Sequence, residues 1–148
     1  MSTSLVSLDR LAELHPDAPH LDLTSASGRA RAESALASAS DDMEGYLDRD
    51  LMVHRVTEHA ANARAGSEVY ARDWPVVGSV SVGVDVIDAR KGHLLVNQSH
   101  VSLVYFAGYR RRGETLADLQ EALPDLTTLP DELPSLVESV VIDLAIHD

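Results

Sequence analysis

Chemistry in this chain would have to come from its histidines, acids and hydroxyls, because it contains no cysteine and so no thiolate nucleophile, disulfide or Cys-based zinc site. His54 and His59 suggest a metal pair, but on the strand predicted around them an odd spacing puts them on opposite faces, where they converge only through a bulge. His93 and His100 flank a turn, and neither has an acid nearby at ligand spacing. The densest acidic cluster, Asp41, Asp42 and Glu44, could hold a cation, or could be the solvated side of a helix. Gly78 and Gly83 are not followed by Gly-Lys-Ser/Thr, so there is no P-loop, and no Gly-x-Gly-x-x-Gly occurs. None of the serines stands in Gly-x-Ser-x-Gly. Asp131-Glu132 reads as the acidic opening of a helix, which the helix dipole already explains. No pattern in the sequence points to a catalytic, cofactor or metal site.

The elements are centred on Val101-Ser-Leu-Val-Tyr-Phe-Ala-Gly-Tyr109. Val101, Leu103, Tyr105 and Ala107 alternate as a strand requires, while Val104 and Phe106 make the second face apolar too, which predicts a central strand. Gly108 supplies the backbone freedom for leaving the sheet. Upstream, Ser7 caps a short helix to Leu14, ended by His15-Pro16, and an irregular arm follows. A long Ala-rich helix runs from Thr24–Ser27 to Asp48–Asp50, with Ala32, Ala35, Leu36, Ala39, Met43, Tyr46 and Leu47 on its expected buried face. Its small side chains allow close approach of a sheet or a neighbouring subunit. Leu51–His59 and Ser67–Arg72 predict a hairpin around Asn62–Gly66, and Trp74 is expected as a core anchor. Val80, Val82, Val84 and Val86 predict one buried face of a strand spanning Val76–Asp88, paired with His93–Val96, and the next strand completes an antiparallel meander. Leu116, Leu119 and Leu123 mark a short helix. A last helix opens at Pro130 or Asp131 and reaches His147, with a stripe of Leu133, Leu136, Val137, Val140, Val141 and Leu144.

Bulk properties narrow the classes. The 148 residues are 45% hydrophobic but only 4% aromatic, enough for one domain whose core is Leu, Val and Ala. Twelve bases stand against 24 acids, a formal net charge of −12, and Lys91 is the one lysine. A free-standing duplex-DNA binder needs the opposite balance to displace phosphate counterions. No apolar run approaches the ~20 residues of a membrane span, and the N-terminus lacks the basic-then-apolar pattern of a signal peptide, so a soluble, non-exported protein is expected.

In this order the chain resembles the head–tail connector (adaptor) proteins of tailed bacteriophages and gene transfer agents. The resemblance lies in four features: the Ala-rich helix Arg31–Asp48 with its acidic Glu44-Gly-Tyr-Leu-Asp-Arg-Asp50 end, Trp74-Pro-Val76 before a valine-rich strand, the strand ending Tyr105-Phe-Ala-Gly-Tyr109, and Leu129-Pro-Asp-Glu-Leu133. They span residues 31 to about 146. The connection from Arg110 to Thr128 is longer than in that family. The resemblance implies an α+β, mainly helical single domain over residues 1–148, with an N-terminal arm (1–24), a long Ala-rich helix, a β-hairpin or small sheet and C-terminal helices. It implies no catalysis and no cofactor. It implies a virion-neck protein, made in the host cytoplasm, whose copies form a ring of about twelve under the portal, extend the DNA channel and receive a stopper or tail protein. Such a ring would carry about 144 formal negative charges, so DNA would slide through without specific binding. The segment 135–148 is then expected to dock on the portal through Leu136, Val140, Val141, Leu144 and Ile146. Arg110, Arg111 and Arg112 are candidates for contacts to acidic partner surfaces, or a plain solvated loop. Two other classes stay open: a small ligand-binding or enzymatic α+β domain, marked by a deep pocket with convergent polar groups, and an acidic DNA-mimic inhibitor, marked by carboxylates spaced along one face.

Overall fold

The computed structural model describes residues 4–15, 22–60, 64–99 and 101–147. The expected α+β class is correct. Among the described residues four helices, α1 (Leu8–Leu14), α2 (Ala26–Leu47), α3 (Leu116–Gln120) and α4 (Ser135–His147), accompany two small antiparallel sheets. The chain divides into two compact units, one of residues 1–51, 111–113 and 132–148, the other of 52–110 and 114–131.

The first unit is helical. Ser7 Oγ caps α1 by accepting from Arg10 N–H, and Ser25 Oγ caps α2 by accepting from Gly28 N–H, each relieving an orphan donor of the first turn. Both α1 and α4 pack on α2. Leu5, Val6, Leu11, Leu36, Leu133, Val141 and Ile142 form its fully enclosed core. Buried Ser40 donates to the Leu36 carbonyl at 2.7 Å and accepts from Leu5 N–H at 2.9 Å, pinning the N-terminal segment to α2. The expected buried face of α2 holds at Ala32, Leu36 and Ala39 but ends there, for Tyr46 is 87% exposed and Leu47 is exposed too. Alanine supplies little apolar area per turn, so this face buries less than a leucine stripe would.

The described residues of the second unit form six strands: β1 (His54–Ala60), β2 (Ser67–Tyr70), β3 (Val76–Val77), β4 (Val84–Asp88), β5 (His93–Val96) and β6 (Val101–Ala107). They pair as β1-β6-β3 and β2-β5-β4. β6 is central, as predicted, with Val56 opposite Tyr105 on one side and Val76 opposite Ala107 on the other. Val101, Leu103, Tyr105 and Ala107 share a core with Leu94 and Val96 of the second sheet. On the opposite face Phe106 packs with Val77, Leu119 and Leu126, so α3 covers the first sheet. Thr115 and Asp118 close a capping box on α3, whose hydrogen bonds from the Thr115 N–H and hydroxyl hold the Asp118 carboxyl below its ordinary value.

Three strand predictions are corrected. The 51–59 and 67–72 segments do not pair as a hairpin: β1 joins β6 and β2 joins β5. Their proposed turn falls partly on residues 61–63, outside the described residues. The β4–β5 hairpin forms, but β6 leaves for the other sheet, so there is no three-strand meander. The valine-rich segment is not one strand. Gly78 and Gly83 take φ +73° and +88° and break it, leaving Val82 86% exposed instead of buried. Trp74 is 42% exposed rather than a core anchor; its cis partner Pro75 is the buried residue.

Candidate functional site

The C-terminal helix carries two apolar faces. Glu138, Val141, Ile142, Ala145 and Ile146 recur at spacings of three and four and are buried. Leu136, Val140 and Leu144, spaced by four, project from the other side. Leu136 is 77% exposed, Val140 exposed and Leu144 half-buried. The portal-docking candidates thus separate. Val141 and Ile146 belong to this unit's core, while Leu136, Val140 and Leu144 lie outside it. The helix also starts later than expected, its first bond running from Glu138 N–H to the Pro134 carbonyl, so Asp131 and Glu132 precede it.

Glu138, 3% exposed, is the unexpected member of the buried face. Its Oε1 accepts from Arg10 Nε at 3.0 Å and lies 3.7 Å from Arg112 Nε. The carboxylate raises the Arg10 guanidinium above its ordinary value, chiefly through that hydrogen bond. Arg112 also reaches Glu132 at 3.1 Å and Ser135 Oγ at 3.3 Å. The three consecutive arginines therefore have separate places. Arg110 donates to the Pro130 and Glu114 carbonyls and staples the second unit's loop. Arg111 is half-buried and lines a groove of about 550 Å³ with Ser4, Val6, Leu8, Glu33 and Ser34. Arg112 closes the ionic cluster at the start of α4. Each of the three has a partner within the chain, and Arg112 is also exposed.

The candidate chemistry residues form pairs that sequence spacing did not show. His54 Nδ1 lies 2.8 Å from the Met52 carbonyl and Nε2 2.9 Å from Asp73 Oδ2. The carbonyl and the carboxylate, both acceptors, fix the orientation of the ring between β1 and the turn after β2. Tyr105 donates to Glu58 Oε2 at 2.9 Å and accepts from Asp73 N–H at 3.3 Å, and burial pushes its phenol above the ordinary tyrosine value. His93 stacks on Tyr70 at 4.8 Å and faces Glu68 at 3.4 Å. His100 lies outside the described residues. Among the described residues no three His, Cys, Asp or Glu side chains are placed to hold a metal. No helix among them is long and apolar enough to cross a membrane. Glu58 reaches Tyr105 because β1 pairs with β6, which sets Val56 opposite Tyr105 and Glu58 two residues along, a pairing that no local sequence signal shows. No protein-family model and no curated protein sequence matches the chain.

Proposed function

We propose that this protein is a structural adaptor of a tailed-phage or gene-transfer-agent neck, assembled as a ring of about twelve between the portal and a stopper or tail protein, and not an enzyme. The observation that carries this reading is the second apolar face of α4. Leu136 and Val140 stand in solvent on a helix whose other side is already packed, and an apolar stripe left open beside a complete core is suited to a partner groove. The four sequence features shared with connector proteins name the portal as that partner. The surplus of acids over bases suits a channel through which DNA passes unheld.

The test is a Leu136→Glu/Val140→Glu variant added to portal-bearing capsids. It should keep its melting temperature within a few degrees, because both side chains are exposed, and lose capsid binding. Full binding by the folded variant would overturn portal docking through α4. The groove lined by Glu33, Ser34 and Arg111 favours a second reading, a ligand-binding α+β domain, since its volume lies within the range of small-molecule sites. A thermal-shift screen in which no small molecule stabilises the protein would remove it.

A further inference from the structure

We propose that His54 is a proton-dependent clamp, whose doubly protonated ring fastens the turn after β2, and with it the partly exposed Trp74, to β1. The clamp needs neither portal docking nor a ring of copies. Nδ1 lies 2.8 Å from the Met52 carbonyl and Nε2 2.9 Å from Asp73 Oδ2. A carbonyl and an ionised carboxylate only accept, whereas a neutral imidazole has a single N–H. Two contacts of that length therefore need two protons, one more than the neutral ring supplies. When the ring is neutral, a nitrogen lone pair faces an oxygen lone pair, and one of the two contacts must open.

The surroundings decide which contact gives. On one side the backbone is fixed: Met52 is bridged to Tyr109, and Val53 N–H donates to the Tyr109 carbonyl at 2.8 Å. On the other side lies a turn whose ends are held by backbone bonds that do not titrate. Ala71 N–H donates to the Gly92 carbonyl at 2.7 Å, and Val76 N–H to the Ala89 carbonyl at 2.8 Å. Between those ends, Arg72 and Asp73 are held by side chains. Arg72 N–H donates to Glu58 Oε2 on β1 at 3.1 Å, and Asp73 N–H to the Tyr105 hydroxyl on β6 at 3.3 Å. The Asp73 carboxylate reaches His54, with Arg72 Nε 3.8 Å from its other oxygen. Of these groups, imidazole is the one whose ordinary titration falls between pH 5 and 8. Loss of its proton thus frees the middle of the turn while both ends stay tied. Trp74 follows Asp73 directly, is the one tryptophan of the chain and is 42% exposed, so it moves with the turn and reports on it.

Tryptophan fluorescence of the full chain is the test. Emission should change in one proton step between pH 5 and 8, at the midpoint where NMR shows the His54 ring titrating. Across that step, amide protection at Arg72 and Asp73, corrected for intrinsic exchange, should fall about tenfold or more as pH rises. His54→Gln should abolish the step. Asp73→Asn, which keeps an acceptor but not the charge, should move it to lower pH. His93→Gln is the control, because His93 follows Gly92, which lies against Trp74; there the step should survive. Flat emission in the parent chain, or a step that persists in His54→Gln, would overturn the clamp. Loss of the step in His93→Gln would assign the proton to that ring and overturn it too. An Asp73→Asn step unmoved from the parent's would overturn the pairing, and this variant decides alone should His54→Gln fail to fold.

Discussion

Tyr105 and Glu138 show what a single polar group does inside each unit. Tyr105 is enclosed in the β core, and its hydroxyl links Glu58 to the Asp73 N–H. Its folded-state pKa is raised, first by burial, so its contribution to stability is complete below the unfolded value near 10 and is lost as pH rises above it. Denaturant unfolding should therefore show stability falling above about pH 10. Tyr105→Phe should cost about 1–2 kcal/mol at pH 7 and flatten that alkaline decline. Glu138 receives Arg10 at 3.0 Å from within a buried helix face. Glu138→Ala should destabilise by about 1.5–3 kcal/mol, the range for hydrogen bonds to charged groups, as measured by urea unfolding. Glu138→Gln, which keeps an acceptor, should cost less.

At the scale of elements, two positions exchange the roles that periodicity assigns them. Alternation places Val82 in the core and Ser81 in solvent, so Val82→Asp would unfold the protein and Ser81→Asp would be neutral. The glycine-broken loop reverses this. Val82 is exposed, whereas Ser81 Oγ donates to the Ser102 carbonyl at 2.6 Å and accepts from Val104 N–H at 3.2 Å, tying the loop to β6. Val82→Asp should stay within about 0.5 kcal/mol of the parent, and Ser81→Asp should lower the melting temperature. Gly28 gives a second reversal. Helix propensity says that Gly→Ala in α2 gains about 1 kcal/mol, but a Cβ at Gly28 would collide with the Asp22 carbonyl. Gly28→Ala should destabilise, and Gly45→Ala, with open space around it, should stabilise the isolated chain.

For the whole molecule, the portal-docking and ring readings make separable demands. Removing residues 142–148 would not test docking, because Ile142, Ala145 and Ile146 are buried and their loss opens the helical core. Surface substitution on α4 leaves that core intact. In dilute solution the chain should scatter light as a monomer, and a ring should form only where a portal templates it. A stable dodecamer under those conditions would show that no template is needed. The net charge of −12 makes any ring sensitive to ionic strength, through repulsion between copies.

Local chemistry determined the α+β class, the capped α1 and α2, the central place of β6 and the β4–β5 hairpin. Each depends on nearby residues: Ser7 and Ser25 at helix starts, the period of two from Val101 to Ala107, and a short turn between β4 and β5. Strand partners were not legible, because β1 meets β6 across more than forty residues and nothing local distinguishes that partner from β2. Nor could the valine pattern show its own interruption, since glycine at 78 and 83 permits a strand and permits a positive φ equally. The docking candidates were legible as an apolar helix but not as two faces. Which side of α4 is core depends on where α2 lies, and that choice buried Val141 and Ile146 while leaving Leu136 and Val140 outside. The Arg10–Glu138 pair, 128 residues apart, exists only once α1 and α4 stand against the same helix. Burial and long-range pairing are properties of the packed chain, and they decided which of the apolar and charged residues remained available to a partner.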